Sequence, residues 1–146
     1  MTRVVAAATG ADIDLVLVRP DRAVLRRPLP PNVTTTEWLP FAAVLPRVAG
    51  IVHHGGAGSV MSALTAGVPQ VVVPGAGDRT VHARLVAERG AGLAVRAPEI
   101  TAETLERLVT DPALAAAAGE VAAEIAAMPP PGDLVEPLLD GVRSAP

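Results

Sequence analysis

Short runs of branched apolar residues recur along this chain, each closed by a turn residue and most followed by a helical pattern that ends at glycine. That alternation is the strongest constraint on its fold. Ile13 to Val18, Val33 to Trp38, Gly50 to His53, Gln70 to Val73 and Gly92 to Val95 are too short and too branched for helices and read as strands. Between and after them, Arg3 to Thr9, Phe41 to Leu45, Ser59 to Ala66, Asp78 to Glu88, Thr101 to Val109 and Asp111 to Met128 read as helices, with Gly10, Gly67 and Gly90 as stops. Pro20 to Pro31 reads as a loop. Strands alternating with helices predict an α/β fold with a doubly wound parallel sheet. With one Trp, one Phe and no Tyr, the core must be built from Val, Leu, Ile and Ala, which suits a sheet covered by Ala-rich helices.

The 146 residues suffice for one domain with a single core. Residues 1–128 carry the sheet and its helices, and 129–146 form a tail that Pro129-Pro130-Pro131 separates and in which Leu134 to Val142 reads as a last helix. The formal charge is −3, with twelve arginines, no lysine and no basic cluster beyond Arg26-Arg27, which argues against a nucleic-acid partner. The absence of Cys removes disulfides, thiolate metal sites and a Cys nucleophile. No apolar run reaches the roughly 20 residues that span a bilayer, and the N-terminus lacks a basic leader, so a cytoplasmic protein without a membrane partner is expected.

The segment that points to chemistry is "VHHGGAGSVMSALTAGVPQ", residues 52–70. A strand, a glycine turn and a helix start bring unpaired amides and the positive end of a helix dipole together, which suits an anion. Gly55, Gly56 and Gly58 let the backbone come close, and Ser59 can cap the helix or donate to an oxygen. His53 can add a hydrogen bond to a diphosphate, and a charge if protonated, whereas His54 points the other way and reads as structural. A zinc site from His53, His54 and His82 is disfavoured because adjacent strand residues face opposite sides, and no metal or cofactor is called for. Ser59 lacks the G-x-S-x-G elbow of a hydrolase, and G-G-A-G departs from the dinucleotide spacing G-x-G-x-x-G, so NAD binding is a minor alternative.

"EWLPFAAVLPRVAGIVHHGGAGSVMSALTAGVPQVVVPGAGDRTVHARLVAERGAGLAV", residues 37–95, resembles the donor-binding signature of the GT-B glycosyltransferases, nearest to those that attach nucleotide-activated deoxysugars to bacterial natural products. The resemblance implies a Rossmann-like C-terminal half of that fold, binding a dTDP- or UDP-sugar. It places Trp38 against the nucleobase and the backbone of Leu39 at the base edge. His53, Gly55, Gly56, Gly58 and Ser59 then hold the diphosphate. Met61 stands where many relatives carry an acid on the ribose, which favours a deoxyribonucleotide. Asp78 falls where relatives hold sugar hydroxyls but is followed by Arg79 rather than Gln, and it reads equally as a helix N-cap; His82 reads as packing.

The same resemblance puts the catalytic base, a histidine, in an N-terminal acceptor domain, so no catalytic residue is assigned here. The chain is expected to need that domain, in cis or in trans, for turnover. In the family a strand precedes the helix that Arg3 to Thr9 resembles, and the chain starts after it. The two sheet edges this leaves are open to repair of the sheet, to a partner segment, or to an alternative pairing of Arg3 to Ala8. A rival reading is a non-catalytic module that docks on a separate glycosyltransferase chain, motivated by those edges and by apolar surface along the helix from Asp111 to Met128.

Overall fold

The computed structural model describes residues 1–143; residues 144–146 of the tail lie outside the described residues. The strands form where the branched runs predict them, trimmed at their ends: β1 Leu15–Val18, β2 Val33–Thr36, β3 Ile51–His53, β4 Gln70–Val72 and β5 Gly92–Ala94. The helices are α1 Thr2–Ala8, α2 Arg22–Leu25, α3 Phe41–Val44, α4 Ala57–Thr65, α5 Arg79–Glu88, α6 Ala102–Thr110, α7 Pro112–Ala126 and α8 Val135–Arg143. Short 3₁₀ turns cover Leu45–Arg47, Ala97–Glu99 and Pro131–Leu134.

All strand pairs are parallel, so the predicted α/β class holds, but the strands fall into two pieces with orders β1-β2 and β3-β4-β5. Arg3 to Ala8 lies in α1 and does not pair as a strand, and β1 does not pair with β3. Each of these two strands therefore keeps one unpaired edge. One hydrophobic cluster still joins the pieces: Leu17 and Val33 of the first are buried with Ala7, Ala8 and Leu105, and Val52 of β3 packs against them. Asn32 adds a polar tie, donating through Nδ2 to the carbonyls of Ala8 at 2.9 Å and Ile13 at 2.8 Å, which pins the end of α1 and the start of β1 beside β2.

The second core holds the site. Val60 and Ala83 are buried with Val72 and Val86, so α4 and α5 are seated against β4. Fully burying such a Val side chain contributes about 1.5–3 kcal/mol. On the far face of α4, Leu64 meets Ala91, Ala118 and Val121. Leu114, Ala118 and Val121 of α7 are thus spent on the core, while Met128 just beyond its end stays 64% exposed. β5 can lie close to β4 because Gly92 has no side chain; a Cβ there would stand 2.1 Å from the Gln70 carbonyl oxygen.

Three local readings change. Pro20 to Pro31 contains a helical turn, α2, because Asp21 caps it by accepting from the Val24 N–H at 2.9 Å. Thr101 with Glu103 beside it reads in the sequence as a capping pattern, but the partner of Thr101 in the cap of α6 is Thr104. α4 starts two residues earlier than expected, with Gly56 at the N-cap; Ser59 lies inside the first turn and does not cap it.

Candidate functional site

β3 ends at His53 and the chain turns through Gly55, whose φ of +86° is the left-handed region that glycine adopts without strain. A Cβ on Gly55 would meet Val72 Cγ1 at 3.0 Å and the Arg79 carbonyl oxygen at 3.1 Å, so the turn is pressed between β4 and the start of α5. α4 begins immediately afterwards without a side-chain cap. The first intrahelical bond runs from Val60 N–H to the Gly56 carbonyl at 3.0 Å. Among the described residues, the N–H groups of Gly56, Ala57, Gly58 and Ser59 have no hydrogen-bond partner. Four donors at the positive end of a nine-residue helix are the chemistry that an anion can use.

Two imidazoles hold the Gly55 residue from opposite sides. His53 Nδ1 accepts from Gly55 N–H at 3.0 Å, so its proton is on Nε2, which donates to Gln70 Oε1 at 2.8 Å. His82, from α5, donates through Nδ1 to the Gly55 carbonyl at 2.8 Å, and its Nε2 stands 4.0 Å from Asp78 Oδ2. Burial pulls the His53 pKa below its ordinary value; the Gln70 hydrogen bond opposes this and charge on His54 adds to it. His53 is thus a neutral group with both nitrogens turned inward, and the hydrogen bond to a diphosphate read from the sequence meets these two internal bonds instead. Protonating Nδ1 would set two donors, His53 and Gly55 N–H, against each other.

Asp78 occupies the N-cap position of α5 but accepts no capping bond, so its exposed carboxylate is free of that task. The Arg79 side chain folds back along the loop ahead of α5: a Cβ on Gly75 would meet its Nη1 at 2.8 Å. Trp38 follows β2, in the other sheet piece, with 70% of its surface exposed. Its carbonyl accepts from the Thr36 hydroxyl at 3.1 Å, and Leu39 is half-buried beside it. Met61, one turn into α4, is exposed. The structure therefore brings the glycine turn, Asp78 and Arg79 together, and leaves Trp38 and Leu39 on a separate loop.

Residues 2–140 match the family model for the Erythromycin biosynthesis protein CIII-like C-terminal domain. The chain belongs to that family. This CIII-like domain is 49% identical over 106 residues to the elloramycin glycosyltransferase of Streptomyces olivaceus, covering 73% of the chain and 27% of the relative. Among solved structures it is similar to the glycosyltransferase VinC in complex with dTDP, with a TM-score of 0.81 and 36% identity over 97% of the chain and 36% of VinC. The spinosyn rhamnosyltransferase SpnG complexed with thymidine diphosphate gives a TM-score of 0.81 and 32% identity over 94% of the chain and 39% of SpnG. The CIII-like domain thus spans well under half the length of each of these proteins. Its parallel α/β architecture is that of the GT-B glycosyltransferases it resembles.

Two residues of this CIII-like site escape sequence reasoning. Gln70 is fully buried, and besides binding His53 it donates from Nε2 toward the Val60 carbonyl at 3.5 Å, so it fixes the imidazole tautomer from β4. A polar residue opening the apolar run Gln70-Val-Val-Val was the available signal, since a buried amide must find partners. His82 reads as packing and proves to be a hydrogen-bond donor to the turn, a contact spanning 27 residues that no local pattern encodes. Among the described residues no helix is long and apolar enough to cross a membrane.

Proposed function

We propose that this chain is the nucleotide-sugar-binding half of an inverting glycosyltransferase that moves a deoxysugar from a thymidine or uridine diphosphate to a natural-product hydroxyl. The observation that carries this reading is the row of four unpartnered amides at the start of α4. Support comes from the family, whose relatives are glycosyltransferases, and from similar proteins that hold dTDP or thymidine diphosphate.

In this reading the N–H groups of Gly56, Ala57, Gly58 and Ser59 donate to diphosphate oxygens, with the Ser59 hydroxyl as a further donor. The Trp38 indole stacks on the base, the Leu39 backbone meets its edge, and Asp78 and Arg79 face the sugar. His53 acts from behind the turn. During transfer the acceptor oxygen attacks the anomeric carbon while the bond to the diphosphate breaks and its electron pair leaves with the phosphate. Amides already aimed at that growing charge lower the barrier without reorganising. The base that removes the acceptor proton comes from an N-terminal acceptor domain, supplied in cis or in trans, and the present residues alone give no turnover.

Adding dTDP or UDP tests the reading: a ligand that binds only the folded state must raise its melting temperature. No shift at millimolar nucleotide removes the proposal. The second reading, a module that docks on a separate glycosyltransferase chain, draws on the unpaired edges of β1 and β3. A monomer by size-exclusion mass that binds nucleotide argues against it.

A further inference from the structure

The position of His82 relative to the free amides has a consequence that the nucleotide-binding reading does not contain. In an α-helix extended one residue upstream, the Ser59 N–H would bond to the carbonyl four residues earlier, that of Gly55. That carbonyl instead accepts from His82 Nδ1 at 2.8 Å and makes no bond with the Ser59 N–H, which stays unpartnered. The opposite side of the same residue is tied by its N–H to His53, so Gly55 is held at φ +86° and α4 cannot grow backwards over it. Asp78, 4.0 Å from the other nitrogen of His82, lies on the loop that carries the candidate sugar contacts.

We infer that His82 is a positioning residue: by holding the Gly55 carbonyl toward α5 it keeps the Ser59 amide available to the diphosphate, and it links α5 to the glycine turn. This rests on the turn being the diphosphate site. His82 itself touches no ligand in this scheme, which sets it apart from Asp78 and Arg79.

The test uses this chain with dTDP and thymidine as probes. His82→Phe removes the donor, and is expected to weaken dTDP binding about tenfold, the effect of one lost charge-assisted hydrogen bond, while thymidine binding is unchanged. His82→Gln retains an N–H able to reach the carbonyl and is expected to restore most of the loss. Independently of any nucleotide, amide hydrogen exchange at Ser59 is expected to slow in His82→Phe, because Ser59 N–H then bonds to Gly55, and to match wild type in His82→Gln. Dependence of dTDP affinity on residue 82 within twofold, together with unchanged Ser59 exchange, overturns the inference. If wild type fails to bind dTDP, the functional reading falls and Ser59 exchange still decides the role of His82. Should His82→Phe not fold, nitrogen NMR of wild-type His82 decides instead: an imidazole without a proton on Nδ1 overturns the inference.

Discussion

Two kinds of helix start coexist in this chain. α6 and α7 close their own ends: Thr101 accepts from the Thr104 N–H at 3.2 Å, and Asp111 accepts from the Ala113 N–H at 2.9 Å. α4 and α5, which follow β3 and β4, do not: Gly56 has no side chain to offer, and Asp78 sits at the cap position without making the bond. A side-chain cap stabilises a helix by about 1 kcal/mol, so leaving two adjacent helices uncapped forgoes stability at one end of one sheet. In the proposed function the uncapped start of α4 keeps its amides for the diphosphate, and His82 of the neighbouring helix bonds to the turn that precedes them.

The largest effect is expected from making α4 resemble α7. The backbone of Gly56, at φ −63° and ψ 138°, accepts a side chain, and the atoms nearest a Cβ there belong to the ring of exposed His54. Gly56→Asp should therefore cap the helix, raising the melting temperature by about 3 °C for about 1 kcal/mol gained. It should also weaken dTDP binding about 100-fold or more, because two charge-assisted bonds are lost and a carboxylate faces the phosphate. Calorimetry and titration on one sample check both, and undiminished affinity would break the comparison. Trp38→Ala comes next: dTDP affinity should fall about tenfold from lost stacking, with melting unchanged because the ring is 70% exposed.

Thr101→Ala sharpens the other side. It should cost about 1 kcal/mol of stability by denaturant titration and leave dTDP affinity as it was. The smallest effects are in pH. Since burial first, and His54 also, hold His53 below the ordinary imidazole value, its contribution is complete above about 6.5 and is lost as the pH falls through the lowered value. The Ala113 N–H first, and Arg107 after it, hold the Asp111 carboxyl below the carboxylate range, so that cap persists until the pH falls well below about 3.9. Amide shifts of the turn should therefore titrate at mildly acid pH while those of the first turn of α7 stay fixed.

Periodicity and glycine punctuation were enough to place every strand and most helices, because branched apolar runs and helix stops act over a few residues. The glycine turn was legible for the same reason: Gly55, Gly56 and Gly58 fall within four consecutive residues of the chain. The α2 turn was not, because a proline-rich stretch hides the single Asp21 cap that forms it. Nor was the inward orientation of His53, which depends on Gln70 reaching it from the next strand.

By itself, then, the amino-acid order determined that strands and helices would alternate in a parallel α/β fold and that a glycine turn would lead from a strand into a helix. Only the tertiary structure decided that the sheet would stand in two pieces, that Ala118 and Val121 of α7 would be buried, and that His53, Gln70 and His82 would converge on one turn. The reason is range: φ preferences, caps and side-chain alternation are settled between near neighbours. A buried hydrogen bond between residues 17 or 27 apart exists only once strands and helices have been packed against each other.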